Sequence, residues 1–355
     1  MSATQERRAG AVQRVAIVGL GLIGSSIGLA LRKGKLPNTE IVGYDKDHSA
    51  LSKASKMGAV DKAYSRLDEV VDGAGMVILA TPLLAMRELL QALGSRLQPG
   101  SVVTDTGSSK TTVLSWASEL LPSGVSFVGG HPMAGRERSG PDAAEATLFE
   151  GASWFIVPGR GATSAAVSSV VRLAENVGAT PCFIDAYEHD AYVAAVSHLP
   201  MVISTTLVTA TGTSPGWKEM SKLAATGYRD ISRLASGDPE MHKGILLTNK
   251  EPIIHWIDEF IARLHDMKRM MVEDEEALGK TLVKAWEARA LWLTDRDGRK
   301  ARKARKADDL GTGERFLTLM AGESLVRKGK ELLGQDREEP FKERKDQPGG
   351  PPAWK

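Results

Sequence analysis

Cysteine is almost absent: the 355 residues contain one, Cys182. A lone thiol can make neither an intrachain disulfide nor a thiolate zinc cage, so both are excluded, no metal site is expected, and a reducing, cytoplasmic setting is. Aromatic residues make up only 5% of the chain, too few for an aromatic-rich β-sandwich, whereas its 36 glycines favour an α/β chain with many tight strand-to-helix turns. No run approaches the ~18 to 20 consecutive apolar residues of a membrane span, so no membrane partner is expected. Charge of one sign is lacking too. The net charge is +2; residues 295–355 carry 16 Lys/Arg against 12 Asp/Glu, leaving 30 against 32 in the rest. The main body therefore gives no electrostatic case for nucleic acid. Only Arg299 to Lys306 (RKARKARK) is strongly basic, and it reads as a solvated surface segment rather than a polyanion patch. The polar start, Met1 to Gln13, does not read as a secretory signal and is expected to be disordered.

The length suits two domains. From Arg14 a β-branched run, a glycine turn and apolar residues at helical spacing read as strand, loop, helix. Glu40 to Asp45 forms a second strand, with further strands at Met76 to Ala80, Val102 to Asp105, Ser126 to Val128, Trp154 to Val157 and Pro181 to Ile184. Helical patterns lie between them at Ser49 to Met57, Leu84 to Arg96, Lys110 to Leu120 and Thr163 to Val177. This alternation predicts right-handed βαβ crossovers: a Rossmann-type, doubly wound, mostly parallel sheet over residues 14–186. From Glu188 the strands stop. Helical stretches at Ala191 to Val208, Trp217 to Leu223, Met241 to Thr248, and Glu251 to Met271 running on toward Trp292 predict an all-α domain over 187–294, followed by a charged tail, 295–355. The apolar residues of Ala191 to Val208 cover most of its circumference, which predicts burial all round, in the domain centre or a subunit interface.

Gly19, Gly21 and Gly24 form G-x-G-x-x-G after a strand and at the head of a helix. There, with Leu22 and Ile23 between the glycines, a pyrophosphate can sit on backbone N–H groups and the positive end of the helix dipole. Asp45 ends the second strand, where a carboxylate accepts hydrogen bonds from ribose hydroxyls and repels a 2′-phosphate, so NAD is preferred over NADP despite the neighbouring Lys46. Ala80, Thr81 and Pro82 follow the strand at Met76 and are placed to line the cofactor.

Two loops are expected on the same sheet edge, Asp105 to Lys110 and Gly129 to Glu137. His131, preceded by two glycines and followed by proline, suits a presented imidazole that takes a hydroxyl proton as hydride leaves the same carbon. Ser108 can hydrogen-bond that hydroxyl or the imidazole, or can cap the helix starting at Lys110.

These residues resemble the prephenate and arogenate dehydrogenases of tyrosine biosynthesis. The resemblance rests on G-L-G-L-I-G with Asp45, D-x-G-S-x-K at Asp105 to Lys110, G-G-H-P-M-A-G-x-E at Gly129 to Glu137, S-H-L-P at Ser197 to Pro200 and G-Y-R-D-I-S-R at Gly227 to Arg233, spanning about Val15 to Met271. It implies an oxidative decarboxylation: hydride passes to NAD, a histidine matching His131 deprotonates the ring hydroxyl, and loss of carbon dioxide aromatises the product. It also implies that the serine matching Ser108 assists the histidine, that the arginine matching Arg233 binds a substrate carboxylate, that the acid matching Asp230 orders or gates the site, and that the acid matching Glu137 holds the arginine. The helical domain would form a homodimer. Independently, Arg233 is a planar donor suited to carboxylates, and Asp230 would share its helix face.

Two positions depart from the family. Met201 stands where many members have a histidine, leaving His198 as a substrate-site or core histidine, and Arg136 stands where relatives often carry a small polar residue. An arginine there would favour a pyruvyl carboxylate over an amino acid side chain. Arogenate and an amino-substituted prephenate remain alternative substrates. Other readings are a β-hydroxyacid dehydrogenase, for which no catalytic lysine stands out, and a non-catalytic NAD sensor, for which His131, Ser108 and Arg233 would be superfluous.

Overall fold

A computed structural model describes residues 13–309 apart from Glu137, with side chains as far as Thr294. The described residues as far as Ala304 belong to one compact unit; of the second, 305–355, only 305–309 at the end of the last helix are described. Eight strands form one sheet in the order β3-β2-β1-β4-β5-β6-β7-β8. They are β1 (Gln13–Val18), β2 (Thr39–Tyr44), β3 (Lys62–Tyr64), β4 (Ala74–Leu79), β5 (Val102–Asp105), β6 (Ser126–Pro132), β7 (Ser153–Pro158) and β8 (Thr180–Phe183). All neighbours are parallel except β6 and β7. The order turns back at β1, and the crevice beyond the carboxyl ends of β1 and β4 is where such sheets bind nucleotides.

One apolar core lies on each face, because buried strands carry apolar side chains both ways. The first packs Ile17, Ile41 and Ile78 against Ile27 and Leu31 of α1 (Leu22–Lys33) and Val170 of α6 (Ser164–Asn176). The second packs Val18, Val77 and Val103 against Met86 and Leu90 of α4 (Leu83–Gly94) and Val113 of α5 (Thr111–Leu120), and continues into Ala194, Met201, Ile245 and Ile253 of the helical part. The two parts thus share a core. Between α1 and α4 lie the short helices α2 (His48–Lys56) and α3 (Leu67–Val71).

After β8 the described residues are helical. Helix α7 (Ala186–Val193) passes through a π turn, Ala194–His198, into α8 (Leu199–Gly212). Short α9 (Trp217–Met220), α10 (Thr226–Ser232) and a 3-10 turn, Arg233–Ser236, lead to α11 (Pro239–Thr248), α12 (Lys250–Glu273) and α13 (Glu275–Asp309). The basic run Arg299 to Lys306 lies within α13.

The structure departs from the sequence reading at four points. Strand β3 has only three residues on the sheet edge, too few for a visible alternation. Strand β6 runs on through His131 to Pro132, pairing antiparallel with β7, so His131 stands on a buried strand end and not in a loop. The helix expected to continue past Met271 breaks at Asp274 (φ −150°, ψ 83°), whose carboxylate accepts the Ala277 amide and starts α13. For the Ala191 to Val208 stretch the domain-centre alternative falls and the subunit-interface alternative remains: within one chain only Met201 and Ser204 of α8 are buried, and Val196 in the preceding π turn is 72% exposed. By length and composition alone the segment Ala186–Gly212 could cross a membrane, yet its first half carries Asp190 and His198, which are hydrogen-bonded into the interior.

Candidate active site

The glycine turn shows where a cofactor fits. Gly19 has φ +95°, and a Cβ on it would lie 2.5 Å from the Ala80 carbonyl oxygen; a Cβ on Gly24 would lie 1.9 Å from the Gly19 oxygen. Both glycines are required by the turn itself. Gly21 is different: a Cβ there meets nothing within 4 Å. It precedes the first turn of α1, which has no side-chain cap and no acidic residue, so the free N–H groups and the dipole face open space suited to a pyrophosphate. Asp45 sits beside this turn, its Oδ2 accepting the Leu20 amide (2.7 Å) and its Oδ1 the Asp47 amide (2.8 Å). Each oxygen keeps a lone pair for a ribose hydroxyl. Across the crevice Thr81 Oγ1 is buried without a partner, next to Ala80 and Pro82. These features together fit a dinucleotide.

His131 is reached from the helical part. Its Nδ1 lies 2.8 Å from His189 Nε2, and His189 Nδ1 lies 2.8 Å from Asp190 Oδ1. The Asp190 carboxylate can only accept, which places a proton on His189 Nδ1, makes His189 Nε2 an acceptor, and so places the His131 proton on Nδ1. His131 Nε2 is left with a free lone pair, the form a general base needs. All three residues are buried. Burial, then the neighbouring His189, Lys110 and His198, hold the His131 pKa well below its ordinary value. Burial alone would raise the Asp190 carboxyl, but hydrogen bonds from His189 and from the Thr111 and Lys110 amides outweigh it and hold its pKa low.

The amides of Lys110 (2.7 Å) and Thr111 (2.8 Å) that Asp190 accepts open helix α5. Asp190, not Ser108, is therefore the cap of that helix. Ser108, on the loop after β5, is half-buried, and its hydroxyl has no hydrogen-bond partner among the described residues. His198 is buried; Asn249 donates one amide hydrogen to the Asp190 carbonyl (2.8 Å) and the other to His198 Nδ1 (3.1 Å). His198 Nε2 therefore carries a proton, and it is buried with no partner. Burial, resisted by Asp190, takes its pKa down to about 4.

Other expected site residues stand apart. Arg136 is half-exposed and paired with Glu145 (2.5 Å), whose amide donates to Ser26 on α1. Arg233 is exposed and opens the 3-10 turn packed on α8, and Asp230 lies 3.7 Å from Arg229. Glu137 lies outside the described residues. Sequence reasoning missed His189, Asp190 and Asn249; the one available signal was an imidazole beside a carboxylate just after the last strand.

A dinucleotide cradle beside a buried imidazole whose tautomer is fixed defines an NAD-dependent dehydrogenase. The chain belongs to the prephenate dehydrogenase family: residues 27–182 match the model "Prephenate dehydrogenase, nucleotide-binding domain" and residues 185–284 "Prephenate dehydrogenase, dimerization domain". It is 37% identical over 268 residues to the prephenate dehydrogenase of Bacillus subtilis, covering 74% of this chain and 71% of that one. A crystal structure of prephenate dehydrogenase from A. aeolicus in complex with hydroxyphenyl propionate and NAD+ is similar (TM-score 0.73, 30% identity, 79% of this chain and 98% of that one). So is the arogenate dehydrogenase of Synechocystis (TM-score 0.66, 28% identity, 79% of this chain and 100% of that one). The fold class expected from the sequence is thereby shown, and so is NAD as cofactor.

Proposed function

We propose that the chain catalyses the NAD-dependent oxidative decarboxylation of prephenate to 4-hydroxyphenylpyruvate in tyrosine biosynthesis, with residues 14–186 holding NAD and 187–294 holding substrate and pairing two subunits. The observation that carries this reading is the Asp190, His189, His131 chain, which leaves an unprotonated acceptor nitrogen at the carboxyl edge of the sheet, the edge on which the cofactor cradle opens. NAD, when bound, accepts the hydride from the hydroxyl-bearing ring carbon. His131 Nε2 takes the hydroxyl proton as the carbonyl forms; the bond to the ring carboxylate then breaks, carbon dioxide leaves, and its electron pair aromatises the ring to a phenolate that recovers the proton from His131. Asp190 and His189 stabilise the imidazolium between these steps, as a triad acid does. Ser108 hydrogen-bonds the substrate hydroxyl. Arg233 receives a substrate carboxylate, with Asp230 and Glu137 ordering it, and His198 offers its N–H. Gly19, Gly21, Gly24, Asp45 and Ala80 to Pro82 hold the cofactor.

Arogenate is the alternative substrate, and Arg136 is the discriminating residue, since a cation favours the pyruvyl carboxylate over an ammonium-bearing side chain. The test measures NADH formation at 340 nm with prephenate and with arogenate, for the wild type and for Arg136→Thr. The Michaelis constant for prephenate is expected to rise more than that for arogenate; equal rises would remove Arg136 from the argument, and turnover of arogenate alone would reverse the substrate assignment. Exposed apolar residues on α12 and α13, Leu264, Met271, Val272, Leu282 and Trp286 among them, support a homodimer. The free, half-buried Cys182 fits a cytosolic setting.

A further inference from the structure

Lys110 and Asp105 take no part in the proton transfers above, yet both side chains are wholly buried. Burying a lysine is costly unless it is paired and hydrogen-bonded, and here both hydrogen bonds of its side chain lead to the backbone that carries His131. Lys110 Nζ donates to Asp105 Oδ2 and to the carbonyl oxygen of Gly130 (2.7 Å). Asp105 accepts the Gly130 amide with Oδ1 (3.1 Å) and the Gly107 amide with Oδ2 (2.8 Å). The residue preceding His131 is thus held at its N–H by one member of the pair and at its C=O by the other. Position 130 itself has no room for a side chain, since a Cβ on Gly130 would lie 2.5 Å from the Asp105 carbonyl oxygen and 2.8 Å from Trp154 Nε1. At the far end of the relay, the main-chain N–H of Lys110 donates to Asp190 Oδ1.

We propose that Lys110 and Asp105 are positioning residues for the base: the pair fixes the Gly130 to His131 backbone while the Lys110 main chain fixes Asp190, so that a single residue sets the span bridged by His189. The D-x-G-S-x-K sequence then acquires a physical meaning, as its first and last members are the two jaws of one clamp. This rests on His131 being the base. A misplacement of about 1 Å costs on the order of 100-fold in rate.

The experiment compares Lys110→Met, Lys110→Met/Asp105→Asn and Lys110→Gln/Asp105→Asn with His131→Asn, reading cooperative melting, the NAD dissociation constant, kcat and KM for prephenate, and the pH profile of kcat/KM. The Met/Asn pair removes the clamp without leaving a lone buried charge; it should bind NAD as the wild type does, lose about 100-fold in kcat with KM changed by less than about threefold, and move the acidic limb to higher pH. That move is expected because the imidazole loses the Lys110 cation that lowers its pKa; Asp105, lost with it, is engaged by Lys110 and the Gly107 and Gly130 amides, and the other charged or titratable groups around the imidazole, His189 with Asp190, and His198, are untouched. The Gln/Asn pair keeps a donor for the Gly130 carbonyl and should recover kcat to within about tenfold of wild type. A Met/Asn pair with kcat within about threefold of wild type overturns the proposal, as does a loss that leaves the acidic limb unmoved and is not recovered by the Gln/Asn pair. Should the Met variants fail to melt cooperatively, the Gln/Asn pair decides, and kcat at the level of His131→Asn overturns the proposal. Turnover retained in His131→Asn instead removes the base itself, a result separable from any behaviour at position 110.

Discussion

The sheet half and the helical half differ in how they finish their cores. Strands β1 and β4 are closed on both faces by helices of the same chain, so that Ile17, Val18, Val77 and Ile78 are fully buried. The helical half leaves Leu264, Met271, Val272, Leu282, Val283 and Trp286 at the surface. A nucleotide cradle demands backbone fixed to fractions of an ångström, and a self-sufficient core supplies that rigidity; a half with unspent apolar surface is the face on which the proposed homodimer would close. The proposed proton transfer would join both halves, since His131 belongs to the sheet and its hydrogen-bonded partners His189 and Asp190 to the first helix beyond it.

The sharpest way to break this comparison is His131→Asn, expected to lower kcat by about 10³-fold with unchanged affinity for NAD measured by calorimetry; a parallel loss of NAD binding would show that the two functions of the sheet half are not separable. Next is Asp190→Asn, which reaches the same chemistry from the helical half. It should cost about 100-fold in kcat, because the wrong His189 tautomer is favoured, while KM for prephenate stays within about threefold. Arg233→Leu should do the reverse, raising KM by about 100-fold at similar stability; an effect on kcat alone would move Arg233 out of substrate binding. Within the cradle, Gly24→Ala should lower the melting temperature by several degrees, whereas Gly21→Ala should leave it unchanged and weaken NAD about tenfold, as its Cβ meets only the space for the pyrophosphate.

Acid sharpens the contrast least. The folded His198 has its pKa lowered to about 4 from an ordinary value of 6.5, so its contribution to stability is complete above about pH 6.5 and is lost as pH falls toward 4, by up to about 3 kcal/mol. Denaturant melts at pH 7 and pH 5 should show this loss in the wild type and a smaller one in His198→Gln. The kcat/KM profile should likewise fall only below the ordinary histidine range, because the His131 pKa is depressed.

Much of the sheet half was legible because strand and helix periods alternate over a hundred residues and the glycine spacing stands at the first junction. Its misreadings were local: a three-residue edge strand, and a β6 that two glycines and a proline seemed to end before His131. The site was legible where chemistry and motif coincide, at Gly19, Asp45 and His131. It was opaque where a contact spans the chain. His189 meets His131 across 58 residues, and Asp190 caps a helix that begins 79 residues earlier, relations that leave no periodic trace. For α8, apolar residues all round marked a helix that must be covered, but periodicity cannot say whether the cover comes from the same chain.

The Asp190 cap also bears on how the chain can be divided. A fragment ending at Asp185 would retain all eight strands, yet the Lys110 and Thr111 amides at the head of α5 would lose the Asp190 carboxylate that accepts them, and the clamp above them would be anchored at one end only. The boundary between the sheet half and the helical half is thus a seam sewn by the Asp190 carboxylate, and swapping either half for a relative's would keep the His131 relay only if residues 105–111 and 189–190 travelled together.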